Sequence, residues 1–264
     1  MEKYTRTRVL IIVMTYPHPS CGYDELVCTA GITDSGEWVR LYPIDYRYRP
    51  KEQQFRKYQW IEVDLFGRGN GNDNRKESRK PLLDSISVIG KPLSHNNGWS
   101  ERRKVMDQIP VFTLNQLKKL NEQDKTSLGI VKPKRIIDLI VEDAERDWKP
   151  EWQAIYSQIR LFGDPPKPLT KIPYKFSYRF ECDDDEKPHI AMIEDWELGV
   201  LFLKEAHRLG SEEKAIDSVR HNFFSKICSP QRDTLLFMGT TFPFNSWVVL
   251  GVYYPPKLQQ FKLF

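Results

Sequence analysis

Cysteine is scarce in this chain. Four cysteines, Cys21, Cys28, Cys182 and Cys228, are scattered over 264 residues, and none forms a Cys-x-x-Cys pair. That spacing excludes a disulfide scaffold and reads as a reduced, cytoplasmic protein. It also argues against zinc: Cys182 and His189 lack the second close ligand pair of a structural site, so no metal and no cofactor are expected. Long apolar runs are missing as well. Val9–Met14 is only strand-sized, far below the ~18 residues of a spanning helix, and mean hydropathy is −0.57. Membrane partners are therefore not expected. The charged start Met1–Arg6 and the Tyr16-Pro17-His18-Pro19 break give no targeting segment. There is no Gly-x-Ser-x-Gly elbow, no Walker loop and no Gly-x-Gly-x-x-Gly after a strand. Gly67-x-Gly69-x-Gly71 reads as a hairpin tip. Cys21, in Pro19-Ser20-Cys21-Gly22, is loop-like and has only His18 as a weak neighbour.

What is present is a foldable, mildly basic chain: 40% apolar, 29% charged, with a formal charge of +4. Strand signals crowd the first hundred residues. Arg8–Thr15 is β-branched; Asp24–Thr33 and Glu37–Ile44 flank Asp34-Ser35-Gly36, a hairpin signal. Tyr58–Phe66 alternates, Ser85–Ile89 is a fifth short run, and Tyr46–Lys57 is basic and helix-compatible after Pro50. Three strands, a helix and two strands is the order of an OB-like barrel. Trp99–Ile109 and Thr113–Gln123 read as helices, the second capped by Thr113. Ser127–Glu142 reads as strand, Trp148–Leu161 as a short helix, and Asp164-Pro165-Pro166-Lys167-Pro168 as a rigid linker. Tyr174–Cys182 alternates aromatic and polar residues, as a strand does. Trp196–Leu209 is a helix closed by Gly210, Ser211–Cys228 is another, and Thr234–Gly239 and Ser246–Tyr253 are strands. The expected fold class is α+β: an OB-like antiparallel β-barrel over 1–95, a helical connector over 96–124, and a second β-rich lobe with packed helices over 125–264.

Three segments together resemble a known group. They are Val27-Cys28-Thr29-Ala30-Gly31-Ile32 with Gly36-Glu37-Trp38-Val39-Arg40-Leu41-Tyr42-Pro43-Ile44; His189 to Glu197, ending Ile193-Glu194-Asp195-Trp196-Glu197; and Phe237-Met238-Gly239-Thr240 with Trp247 to Pro256. The chain resembles poorly characterised prokaryotic dual-OB-type domain proteins, often found near mobile or conflict-related genes. The resemblance implies two β-rich lobes, raises the expectation of nucleic-acid binding, and carries no catalytic residues.

The residues themselves offer one leading site. From Asp45 to Lys80 there are ten Lys/Arg and six Asp/Glu, interleaved with aromatics. Cations neutralise phosphates and rings stack on unpaired bases. Arg47, Arg49, Arg56, Lys57, Tyr58, Arg75 and Lys76 are therefore candidates for contacting single-stranded nucleic acid; a solvated helix and loop is the plain alternative. Trp38, Arg40 and Tyr42 share parity on one strand. They either form an exposed stacking-and-charge ladder or lie under the second lobe, with the arginine as an internal anchor. A third cluster, Glu181–Glu197, holds eight acids against one lysine. His189, Asp195 and Glu197 there could serve as acid and base, although acids in a first helical turn are also favourable for the helix alone. The leading expectation is a nucleic-acid-binding accessory module in a defence or mobile-element system. An enzyme acting on nucleic acid or nucleotides through His189, Asp195 and Glu197 is the alternative. A protein–protein adaptor using Phe261 and Phe264 is a third reading.

Overall fold

The apolar run Val9–Val13 is wholly buried, which a strand achieves only with both faces covered. In the computed structural model, which describes residues 4–20, 24–68, 73–157 and 167–258, that run lies in β1 (Tyr4–Met14). Next come β2 (His18–Ser20), β3 (Asp24–Leu26), β4 (Thr29–Thr33) and β5 (Trp38–Leu41). After two short 3-10 turns, Tyr46–Tyr48 and Lys51–Gln53, come β6 (Gln59–Phe66), β7 (Ser78–Arg79) and β8 (Ser87–Ile89). The middle holds α1 (Asn96–Met106), β9 (Val111–Phe112), α2 (Leu114–Asp124), β10 (Leu128–Val131) and β11 (Arg135–Asp143). Then follow α3 (Pro150–Ser157), β12 (Tyr174–Glu181), β13 (His189–Met192), α4 (Trp196–Leu209) and α5 (Glu212–Arg220). A π-helical turn, His221–Lys226, leads to β14 (Leu235–Thr240) and β15 (Trp247–Tyr253).

The OB-like barrel is not what forms. The strands make four separate sheets: six strands in the order β7-β5-β4-β1-β6-β8, four in the order β15-β14-β10-β9, three in the order β11-β12-β13, and the β2-β3 pair. Among the described residues the end strands β7 and β8 of the six-stranded sheet do not pair with each other, and only an isolated bridge from Pro81, just past β7, to Leu65 joins that end to β6. The two faces of the sheet find separate cores instead. Val9 and Ile11 join Val39, Leu41, Val63 and Leu65 on one side. Leu10 and Ile12 join Ala30 and Ile32 and meet Leu128, Ile130, Phe237 and Leu250 on the other. The second face is thus buried against the four-stranded sheet rather than left to solvent. The second lobe is likewise two sheets. Ser127–Glu142 divides at Lys132-Pro133-Lys134, with β10 in the four-stranded and β11 in the three-stranded sheet; proline cannot donate to a ladder. Helices α4 and α5 pack Leu198, Phe202, Ala215 and Val219 against Leu139, Phe176 and Tyr178.

Local signals behave as their chemistry requires. Thr113 caps α2 in a full capping box with Gln116, and Gly210 closes α4 in the left-handed conformation. Gly31 lets β1 and β4 meet: a Cβ there would lie 2.3 Å from the Leu10 carbonyl oxygen. Gly31→Ala should cost about 1–3 kcal/mol of stability, as overpacking does; chemical denaturation measures it, and an unchanged midpoint would mean that the strands separate freely. Cys21, the glycines at 69 and 71, the prolines at 165 and 166, and Phe261 and Phe264 lie outside the described residues.

Candidate nucleic-acid interface

Most of the basic candidates are spent on internal anchoring. Arg47 pairs with buried Glu25 at 3.2 Å and donates to the Lys167 and Pro168 carbonyls. Arg49 bridges Asp45 at 2.8 Å and Asp84 at 3.0 Å. Arg75 is clamped by Asp73 and donates to the Thr240 carbonyl; Lys76 is held by Asp124. Trp38 is half-buried, edge-on to Phe237 with ring centres 6.2 Å apart. The exposed Trp38–Arg40–Tyr42 ladder does not form. Val39 and Leu41 do point into a core, but Arg40 is only 1% exposed while Tyr42 is 40% exposed. The reason is that the opposite face of β5 is covered too: Arg40 donates to the Cys28 Sγ at 3.0 Å and to the Ser127 carbonyl at 3.2 Å.

Arg56, Lys57 and Tyr58 stay together, and distant residues join them. Between the 3-10 turn Lys51–Gln53 and β6 the chain passes Tyr58 in the left-handed region, φ 62°. The first turn of α1 does the same at Asn97, Gly98 and Trp99, the last with φ 68°. Such a φ is uncommon for bulky side chains, and it gathers at functional sites. Both rings turn onto the wall of one cleft of about 460 Å³, completed by Trp196, Glu197 and Tyr254. The Arg102 guanidinium stacks 3.8 Å from the Tyr58 ring centre and 4.8 Å from that of Trp99. The Tyr58 hydroxyl has no hydrogen-bond partner among the described residues although the side chain is 5% exposed.

This aromatic cleft runs into a basic one. Arg56, Pro92 and Arg102 line both, and the second adds Lys51, Lys91 and His95. Across the two, five lysines and arginines face two carboxylates, Glu52 and Glu197. Lys51, Arg56 and Lys91 are exposed and have no side-chain hydrogen bond or ion pair among the described residues. Uncommitted cations of this kind are what a phosphate chain neutralises.

Lys57 closes the floor. Its Nζ lies 2.9 Å from Asp195 and 2.9 Å from Glu197, with its side chain 8% exposed and that of Asp195 1%. Burial pulls the Lys57 ammonium down, but the two carboxylates overcome it and hold it above the ordinary lysine value. Lys57 in turn depresses the Glu197 carboxyl, whose side chain remains open at the mouth. Asp195 also accepts from the Glu197 amide at 2.8 Å, capping α4.

The acid–base trio is not gathered. His189 lies on β13 with Nε2 2.8 Å from Asp185, whereas Asp195 and Glu197 meet at Lys57. Trp99, Arg102, Trp196, Lys91 and Tyr254 escaped the sequence reading as site residues; the isolated Trp-after-Gly and Tyr-before-Pro carry no spacing that points to one another.

A family model described as Domain of unknown function (DUF8757) matches residues 110–264, and another, Domain of unknown function (DUF8758), matches residues 5–108. No curated protein matches the chain.

Proposed function

This chain belongs to the DUF8757 family, and we propose that it binds single-stranded nucleic acid in the groove walled on one side by that family's region and on the other by the segment before it. The observation that carries this reading is the continuity of the two clefts. An aromatic chamber and a basic chamber share Arg56, Pro92 and Arg102. In the proposed complex an unpaired base lies against Arg102, Trp196 and Tyr254, with the buried Tyr58 and Trp99 rings behind them, while its flanking phosphates run along Lys51, Arg56 and Lys91. Aromatic and guanidinium planes stack on any base. Glu197 at the mouth is an acceptor suited to an N–H on a base edge, the N3–H of thymine and uracil included. A duplex hides its bases from such a chamber, so unpaired strands are favoured. The sequence resemblance adds a defence or mobile-element setting to the proposal.

Fluorescence anisotropy with labelled ten-residue oligo(dT) and oligo(U) tests it. Micromolar or tighter binding is expected at low salt, with the logarithm of the affinity falling linearly with the logarithm of salt concentration. Absence of binding to both oligomers at low salt, or a preference for duplex, would overturn it.

A further inference from the structure

A second cleft, of about 590 Å³, shares no lining residue with the groove above. Its lining includes Arg40, Arg75, Lys80, Glu194, Thr240 and Phe242. The volume falls within the range of small-ligand sites.

Its lining carries a buried cation that no carboxylate pairs with directly among the described residues. Arg40 is 1% exposed and gives its terminal donors to the uncharged acceptors of Cys28 and Ser127. No carboxylate lies within ion-pair distance of it among the described residues, and its Nε has no hydrogen-bond partner there. Thr240, 2% exposed and on the same lining, has an unpartnered Oγ1 as well. A buried charge or polar group in that state is costly unless something pairs with it. The acids nearby are engaged or stand off. Asp73 is committed to Arg75, Glu77 accepts from the Ser127 amide and hydroxyl and so reaches Arg40 only through Ser127, and Glu194 on the same lining is attracted by Arg40 without pairing with it. The mouth has the opposite character. Lys80 is exposed with no carboxylate partner among the described residues, its ammonium 5.7 Å from the Phe66 ring centre, and Phe242 is 52% exposed, with the Arg75 guanidinium 5.7 Å from its ring centre.

We infer that this cleft is a separate site for a nucleoside phosphate, its phosphate held by Arg40 and Lys80 and its base stacked on Phe242. The cleft is much larger than one oxyanion, and a half-exposed ring beside cations suits a planar heterocycle. The inference stands apart from the strand reading, since neither needs the other.

Isothermal titration with AMP, CMP, GMP and UMP, with inorganic phosphate and adenosine alongside, tests it. At least one nucleotide should bind with a submillimolar Kd, ten or more times tighter than phosphate or adenosine alone. Lys80→Ala and Phe242→Ala, both at exposed positions, should each weaken it fivefold or more. Tyr254→Ala should leave it unchanged while weakening oligonucleotide binding. No nucleotide binding at millimolar concentration, phosphate binding as tight as nucleotide binding, or a nucleotide affinity lost with Tyr254→Ala and kept in the Lys80 and Phe242 variants would each overturn the assignment.

Discussion

Asp195→Ala lowers the stability of the fold by roughly 3 kcal/mol, the lower end of what breaking a buried ion pair costs. For a chain of this size that is a fall in Tm of about 6–12 °C. The loss has two parts. The cap on the Glu197 amide is worth about 1 kcal/mol, and the remainder is the ammonium of Lys57, left in the floor of the cleft with one partner instead of two. Glu197→Gln costs less, under about 1 kcal/mol, because the Glu197 side chain is open to solvent and its attraction to Lys57 is screened. The Glu197 part of the pH dependence has a definite sign, opposite to that of Asp195, whose carboxyl burial pushes up. Glu197 is held below the ordinary carboxylate value by Lys57, so its contribution is present above that ordinary value and is lost as pH falls through the depressed one. Replacing both buried charges, as in Lys57→Met with Asp195→Leu, should recover much of the stability lost in Asp195→Ala. Thermal and urea unfolding of the variants measure all of this. A loss of only about 1 kcal/mol in Asp195→Ala would mean that capping is its whole role.

Combined substitution of Lys51, Arg56 and Lys91 by alanine weakens oligo(dT) binding by more than about tenfold at low salt. It also flattens the salt dependence by about two, since each phosphate contact on a single strand contributes about 0.7 to the slope. The three side chains are exposed and unengaged, so the fold should be unaffected. Arg49→Ala and Lys76→Ala are the informative controls. Both remove a charge from the same basic stretch, but from side chains held by Asp45, Asp84 and Asp124. Binding that survives the triple substitution, or falls as much with either control, would assign the affinity to diffuse charge rather than to the groove.

Local structure was legible where one physical signal dominated. The alternation of Tyr174–Glu181, the Thr113 cap and the Gly210 stop each rest on a few neighbouring residues. Tertiary closure was not legible in that way. The parity of β5 correctly put Val39 and Leu41 inside, but parity cannot reveal that the other face is also covered, which is why Arg40 became a buried anchor. Element order suggested a barrel, whereas the second face of β1 is claimed by Leu128, Phe237 and Leu250, residues more than a hundred positions away. Half of the site was visible, as Arg56, Lys57 and Tyr58. The rest depends on left-handed turns at Tyr58 and Trp99 and on an ion pair spanning 138 residues, neither of which leaves a pattern in the local sequence.

The most direct measurement is photo-cross-linking of a 4-thiothymidine-substituted oligo(dT) to the intact chain, with the attached peptides read by mass spectrometry. Cross-links concentrated at Trp196 and Tyr254, and competed away by unlabelled single strand, are the predicted result. Cross-links confined to other surfaces, or undiminished by competitor, would contradict it.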